Sequence, residues 1–152
     1  MKIAVIGNYL PRRCGIATFT ADLCDALAGQ PGVEEGDLAV VAMDDQVEGY
    51  AYPPRVWFQV LAPAPADYLR AAEFLNVHSF DVAILQHEYG IFGGTQGAHI
   101  LQMIKNLRMP VITALHTVLQ FPNQEQLDIA RSLAARSQFL VVMAERARSL
   151  LT

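Results

Sequence analysis

Three short runs of this 152-residue chain carry the residue types that do chemistry, and each directly follows an apolar, β-branched segment. The first is Asn8, Tyr9, Leu10, Pro11, Arg12, Arg13, Cys14, Gly15, which follows Ile3–Ile6 and Gly7. Two arginines and a glycine stand just ahead of a helical pattern, so free backbone N–H groups and the positive end of a helix dipole meet local positive charge. Such a junction suits an anion, a phosphate above all. The plain alternative is that Gly15 serves close packing and that Arg12 and Arg13 are solvated.

The second run follows Gln86: His87, Glu88, Tyr89, Gly90, Ile91, Phe92, Gly93, Gly94, Thr95, Gln96, Gly97. Glycines allow close backbone approach, aromatic rings stack on a sugar-like ring, and a carboxylate accepts hydrogen bonds from hydroxyls. His87, Glu88, Tyr89 and Gly90 therefore form a candidate polyol-binding set. The opposing reading is a loop whose Tyr89 and Phe92 fold into the core while His87 bonds to backbone. The third run is Leu115, His116, Thr117, Val118, Leu119, Gln120, Phe121, Pro122, in which His116 ends an apolar segment and is expected to point into a cleft. A lone histidine is also a common structural residue, and that reading stands beside the functional one.

Several sites are disfavoured by spacing. Nothing after Gly7 matches the GxGxxG of a dinucleotide turn or the GxxxxGK[ST] of a phosphate loop. His78, His87, His99 and His116 are scattered, no HExxH occurs, and Cys14 and Cys24 are not a CxxC pair, so no metal site is expected. The GxSxG nucleophile elbow is absent as well.

The elements that must position these loops alternate regularly. Strands are expected near 2–7, 37–43, 56–60, 81–86, 110–115 and 138–143. A helix opens after Gly15 with Ile16, Phe19, Leu23 and Leu27 as its buried stripe; others span Asp67–Val77, with Leu69, Ala72 and Phe74 or Leu75 inward, Gln96–Leu107, and Gln124–Ala135. A further helix starts at Ala144 and reaches Thr152, which gives the chain the look of the front part of something longer. Near-continuous apolar strands such as Val82–Leu85 imply burial on both faces. The expected fold class is therefore α/β, a Rossmann-like doubly wound parallel sheet with helices on both faces, whose ligands bind beyond the carboxyl ends of the strands.

Composition narrows the partners. The chain fits one domain of residues 1–152. Apolar residues make up 53%, yet no run approaches the roughly 20 residues of a membrane span. No leader-like segment precedes the first strand, so a cytoplasmic location with both cysteines reduced is expected. A net charge of −4 without a large basic cluster excludes nucleic acid as an expected partner.

Three runs together, Pro11–Thr20, Gln86–Gly94 and Thr113–Thr117, resemble the N-terminal domain of GT-B fold glycosyltransferases, in particular the retaining enzymes of family 4. Met143, Ala144, Glu145, Arg146, Ala147 is similar to the stretch that precedes their second half. The resemblance covers the whole chain and implies one half of a GT-B fold, its C-terminal donor-binding domain being absent from these 152 residues. It implies transfer of a sugar from a nucleotide-sugar donor to an acceptor hydroxyl, with retention and without a protein nucleophile, cofactor or metal. Residue by residue, it assigns Gly15 and Ile16, with Arg12 and Arg13 beside them, to the donor phosphates. His116 falls beside the transferred sugar and donor phosphate, and His87, Glu88, Tyr89 and Gly90 fall to the acceptor side. Many relatives carry two adjacent glycines where this chain has Cys14 and Gly15. Acceptors in the family are sugars or lipid-linked, which implies peripheral contact with the inner face of a membrane as a further expectation, and this half alone is expected to be inactive. The rival expectation is a non-catalytic α/β module that binds a small ligand or a protein.

Overall fold

The computed structural model describes residues 1–151, the Glu35 side chain apart; the expected end of the last helix at Thr152 lies outside them. Strands β1 (Ile3–Gly7), β2 (Leu38–Asp44), β3 (Val56–Leu61), β4 (Val82–His87), β5 (Val111–Leu115) and β6 (Phe139–Val142) lie within a residue or two of their expected positions. All pair in parallel in the order β3-β2-β1-β4-β5-β6, with Ile3 opposite both Leu38 and Val82. The fold is thus Rossmann-like, and strand order reverses between β1 and β4, the place at which sheets of this kind bind ligands, in the crevice beyond the strand ends.

The helices are α1 (Gly15–Ala28), α2 (Pro65–Val77), α3 (Ile100–Asn106), α4 (Gln124–Arg136) and α5 (Glu145–Leu151). Right-handed crossovers send α1 to one face of the sheet and α2, α3 and α4 to the other. Two separate cores result. The larger joins Ile6, Val41, Met43 and Leu85 to Tyr68, Leu75, Ile100, Met103 and Leu133; the smaller joins Val5, Val40 and Ala42 to Ala21 and Cys24 of α1. Each fully buried Leu or Ile is worth about 1.5–3 kcal/mol, so the three-helix face carries most of the stability.

Three helical details depart from the periodic pattern. In α1 the buried residues are Ala17, Thr20, Ala21 and Cys24, whereas Phe19 is 38% exposed and Ile16, Leu23 and Leu27 are only half-buried. Small side chains let the helix axis approach the sheet, and the large apolar ones move to its flank. In α2 the inward residues are Tyr68, Ala71, Ala72 and Leu75, with Leu69 exposed, and the helix begins two residues early because Pro65 suits its first turn. The expected helix from Gln96 is broken: Thr95–Gly97 is a separate 3-10 turn in which Gln96 and Gly97 have φ of 54° and 84°, and α3 starts only at Ile100.

Helices on both faces is true with an asymmetry. Among the described residues no helix lies above β4, β5 and β6 on the α1 side, and Ile84, Gln86, Ile112, Ala114 and Val141 floor an open groove of about 200 Å3 flanked by Phe19, Leu23 and Met143. Among the described residues no helix is long and apolar enough to cross a membrane.

Candidate functional site

Loop 1 bridges β1 and α1. Cys14 caps the helix with its thiol, accepting from the Ala17 N–H at 3.4 Å and from the Asn8 amide at 3.3 Å. The N–H groups of Gly15 and Ile16 belong to the unpaired first turn, and a Cβ added to Gly15 would meet nothing within 4 Å. The two arginines have separate fates. Arg12 is largely buried: its guanidinium donates to Asn8 Oδ1 and to the Met43 carbonyl, both at 3.1 Å, and pairs with Asp45 at 3.2 Å. Arg13 is exposed and makes no ion pair among the described residues. Arg12 therefore braces the loop, and Arg13 is the free cation.

The brace reaches into the segment between β2 and β3. Asp44 is buried there and accepts from the Tyr52 hydroxyl at 2.6 Å, while Tyr50 bonds Asp45 at 2.8 Å. Burial raises the Asp44 carboxyl above its usual range, and the Tyr50 hydrogen bond, with Arg12 beside it, lowers Asp45. Asp45 thus stays charged to hold Arg12.

Loop 4, after β4, divides its expected set between two faces. Strand alternation turns Gln86 toward the α1 side and His87 toward the three-helix side. The His87 ring is fully buried, edge-on to Tyr89 at 4.9 Å and stacked on Phe92 at 5.8 Å, and neither ring nitrogen has a hydrogen-bond partner among the described residues. Burial, with His116 nearby, pushes its pKa down to about 4, so the ring is neutral at pH 7. His87 underlies the loop instead of facing the crevice, and Phe92 is in the core, as the opposing sequence reading held; the backbone bond to the His87 ring does not form. Glu88 accepts from the Tyr89 N–H at 2.9 Å and from the Thr117 hydroxyl at 2.5 Å, tying loop 4 to loop 5. Tyr89 is half-buried with its hydroxyl 3.3 Å from the Gln126 carbonyl, while Gly90 is exposed with open space around it. Gly93 has an internal reason for being glycine, because a Cβ there would lie 1.8 Å from the Ala62 carbonyl oxygen.

Loop 5 supplies His116, whose backbone N–H donates to the His87 carbonyl at 3.0 Å. One residue beyond the strand, it points to the α1 side of the sheet. There its Nε2 meets Gln86 Oε1 at 2.7 Å, and Phe19 of α1 packs edge-on against the ring at 4.9 Å and 89°. Partial burial lowers its pKa, Glu88 offsets part of that, and the ring is neutral at pH 7.

Phe19 of α1, Gln86 of β4 and His116 just after β5 thus meet beside the strand-order reversal. Gln86 was missed as a site residue; a polar side chain near the end of an otherwise apolar strand was the available signal. A separate cavity of about 160 Å3, lined by none of these three residues, has Tyr89, Thr117, Val118 and Leu127 among its walls, together with Leu150 and Leu151 of α5. That is below the roughly 300–1,000 Å3 of an ordinary small-molecule site. Among the described residues no three His, Cys, Asp or Glu side chains converge as a metal site would require. No protein-family model and no curated protein matches this sequence.

Proposed function

We propose that the chain is the acceptor-side domain of a retaining glycosyltransferase that moves a sugar from a nucleotide-sugar donor to a sugar or lipid-linked hydroxyl. The observation that carries this reading is the meeting of Phe19, Gln86 and His116, one from each of the three sequence runs that resemble such enzymes, at the crevice where this topology binds ligands. In it, the free N–H groups of Gly15 and Ile16, with Arg13, receive donor phosphate charge. His116 lies beside the sugar, and Glu88, Tyr89 and Gly90 form the acceptor rim. Catalysis rests on stabilising the leaving phosphate and aligning two substrates, with no protein nucleophile and no metal. In this reading the donor is held mainly by a second domain.

The test begins with the gene beyond the codon for Thr152. A second α/β domain with a Lys/Arg pair and two glutamates is expected, and the protein that includes it should transfer sugar from at least one of a panel of nucleotide sugars. His116→Ala should lower kcat/KM by about 100-fold. No transfer from any donor, with His116→Ala binding them all as wild type does, would sink the proposal. The open apolar half of the sheet favours one alternative, a non-catalytic module that docks a protein partner. A stoichiometric complex through that face, without sugar transfer, would establish it instead.

A further inference from the structure

Gln86 sits where a parallel sheet ordinarily places an aliphatic residue. Its strand neighbours Ala83, Leu85 and His87 are buried on one face, and Ile84 precedes it on the other. It is itself fully buried. Burying an amide is costly unless it is bonded, by roughly 1–3 kcal/mol. Yet only one end of this amide is satisfied: Oε1 meets His116 Nε2 at 2.7 Å, and Nε2 of the amide has no partner. Space for it is provided by Gly7, where a Cβ would come within 2.9 Å of the Gln86 Cβ. A costly side chain held for one hydrogen bond points to that bond as its purpose.

We infer that Gln86 is a positioning residue that holds neutral His116 in its Nε2–H tautomer, so that the Nδ1 lone pair is offered to a hydroxyl donor in the crevice. A carboxamide oxygen only accepts, so the proton of the 2.7 Å bond belongs to His116 Nε2. Among the described residues the other ring nitrogen makes no hydrogen bond and, unlike both His87 nitrogens, it is not sealed from solvent. Phe19 against the ring and the His116 N–H to the His87 carbonyl remove the remaining freedom to turn. His116 then recognises a ligand as an acceptor, which suits a sugar hydroxyl and repels a bare phosphate oxygen. The class of ligand rests on the glycosyl-transfer reading; the tautomer does not.

Nitrogen-15 NMR of the ring at about pH 8 reads the tautomer on the ligand-free chain, whatever the protein transfers. The wild type should show a protonated Nε2 and an unprotonated Nδ1 at His116. Gln86→Leu should bring the two signals toward each other as the Nδ1–H form becomes populated, and Gln86→Glu, whose carboxylate also only accepts, should restore the wild-type pattern. Circular dichroism confirms that each variant is folded; if Gln86→Leu is not, the wild type and Gln86→Glu spectra decide. A wild-type ring protonated at Nδ1, or a folded Gln86→Leu with an unchanged tautomer, overturns the inference. Loss of the transferase reading with the Nε2–H tautomer intact would leave the positioning role standing and remove only its sugar.

Discussion

His87 and His116 are neighbours through the chain's backbone yet live in different media. One residue of strand alternation separates a ring buried among Tyr89 and Phe92 from a ring at the crevice held by Gln86. For His87 the folded pKa is depressed from 6.5 to about 4, so its contribution to stability is complete above the unfolded value and is lost as pH falls toward the folded one. Between about pH 7.5 and 5 the unfolded chain binds the extra proton, and the fold should lose about 2 kcal/mol from this group. Urea unfolding at the two pH values measures it. Replacement by His87→Phe, which keeps a ring between its aromatic neighbours, should flatten that part of the pH profile. A wild-type stability that does not change over this range would contradict the buried, unpartnered ring.

At the scale of elements, the loops beyond the strands are held by caps and cross-loop bonds more than by their own packing. Asn123 and Gln126 form a reciprocal box at the start of α4, with Gln126 N–H to Asn123 Oδ1 at 2.8 Å and Asn123 N–H to Gln126 Oε1 at 2.9 Å. Gln126 also donates to Gln96 at 3.0 Å and accepts from Tyr89, so this cap anchors the far end of loop 4. Asn123→Ala should cost about 1 kcal/mol in denaturant unfolding. Hydrogen exchange should then quicken first at residues 89–97, where the anchor is released, with β1 and β2 unaffected. The same scale explains the sequence pattern's failure in α1. Counting large apolar residues at helical spacing selected Ile16, Phe19, Leu23 and Leu27, but a helix packed closely on the sheet uses alanine, threonine and cysteine as its inner face. Phe19 was thereby freed to pack on His116.

Over the whole molecule, the two faces of the sheet are unequally covered. The three-helix face is closed, whereas β4, β5 and β6 on the α1 side present Ile112, Val141 and, at the sheet edge, a 65% exposed Phe139. Contiguous apolar surface of this kind drives association, and β6 also leaves an unpaired edge. The isolated chain should self-associate at high concentration and bind a hydrophobic dye in its native state. Phe139→Lys combined with Val141→Lys should keep it monomeric in sedimentation and reduce dye binding, with the circular dichroism spectrum unchanged. Dye binding that persists in the double variant would place the sticky surface elsewhere.

The order of strands and helices and the three loops beyond the strand ends were legible from sequence, because parallel strands buried on both faces read as short continuous apolar runs and amphipathic helices impose a period of 3.6 on their residues. The glycines of loop 4 were visible as glycines, but their causes were not: Gly93 answers to the Ala62 carbonyl, some thirty residues away along the chain. Likewise Arg12 and Arg13 are identical in type and adjacent, and only the approach of Asp45 from the segment after β2 makes one a brace and leaves the other free. Which histidine faces the crevice, which residue holds it and which half of the sheet stays open depend on contacts between residues distant in sequence. Local periodicity carries no record of such contacts, so the tertiary structure alone decided them.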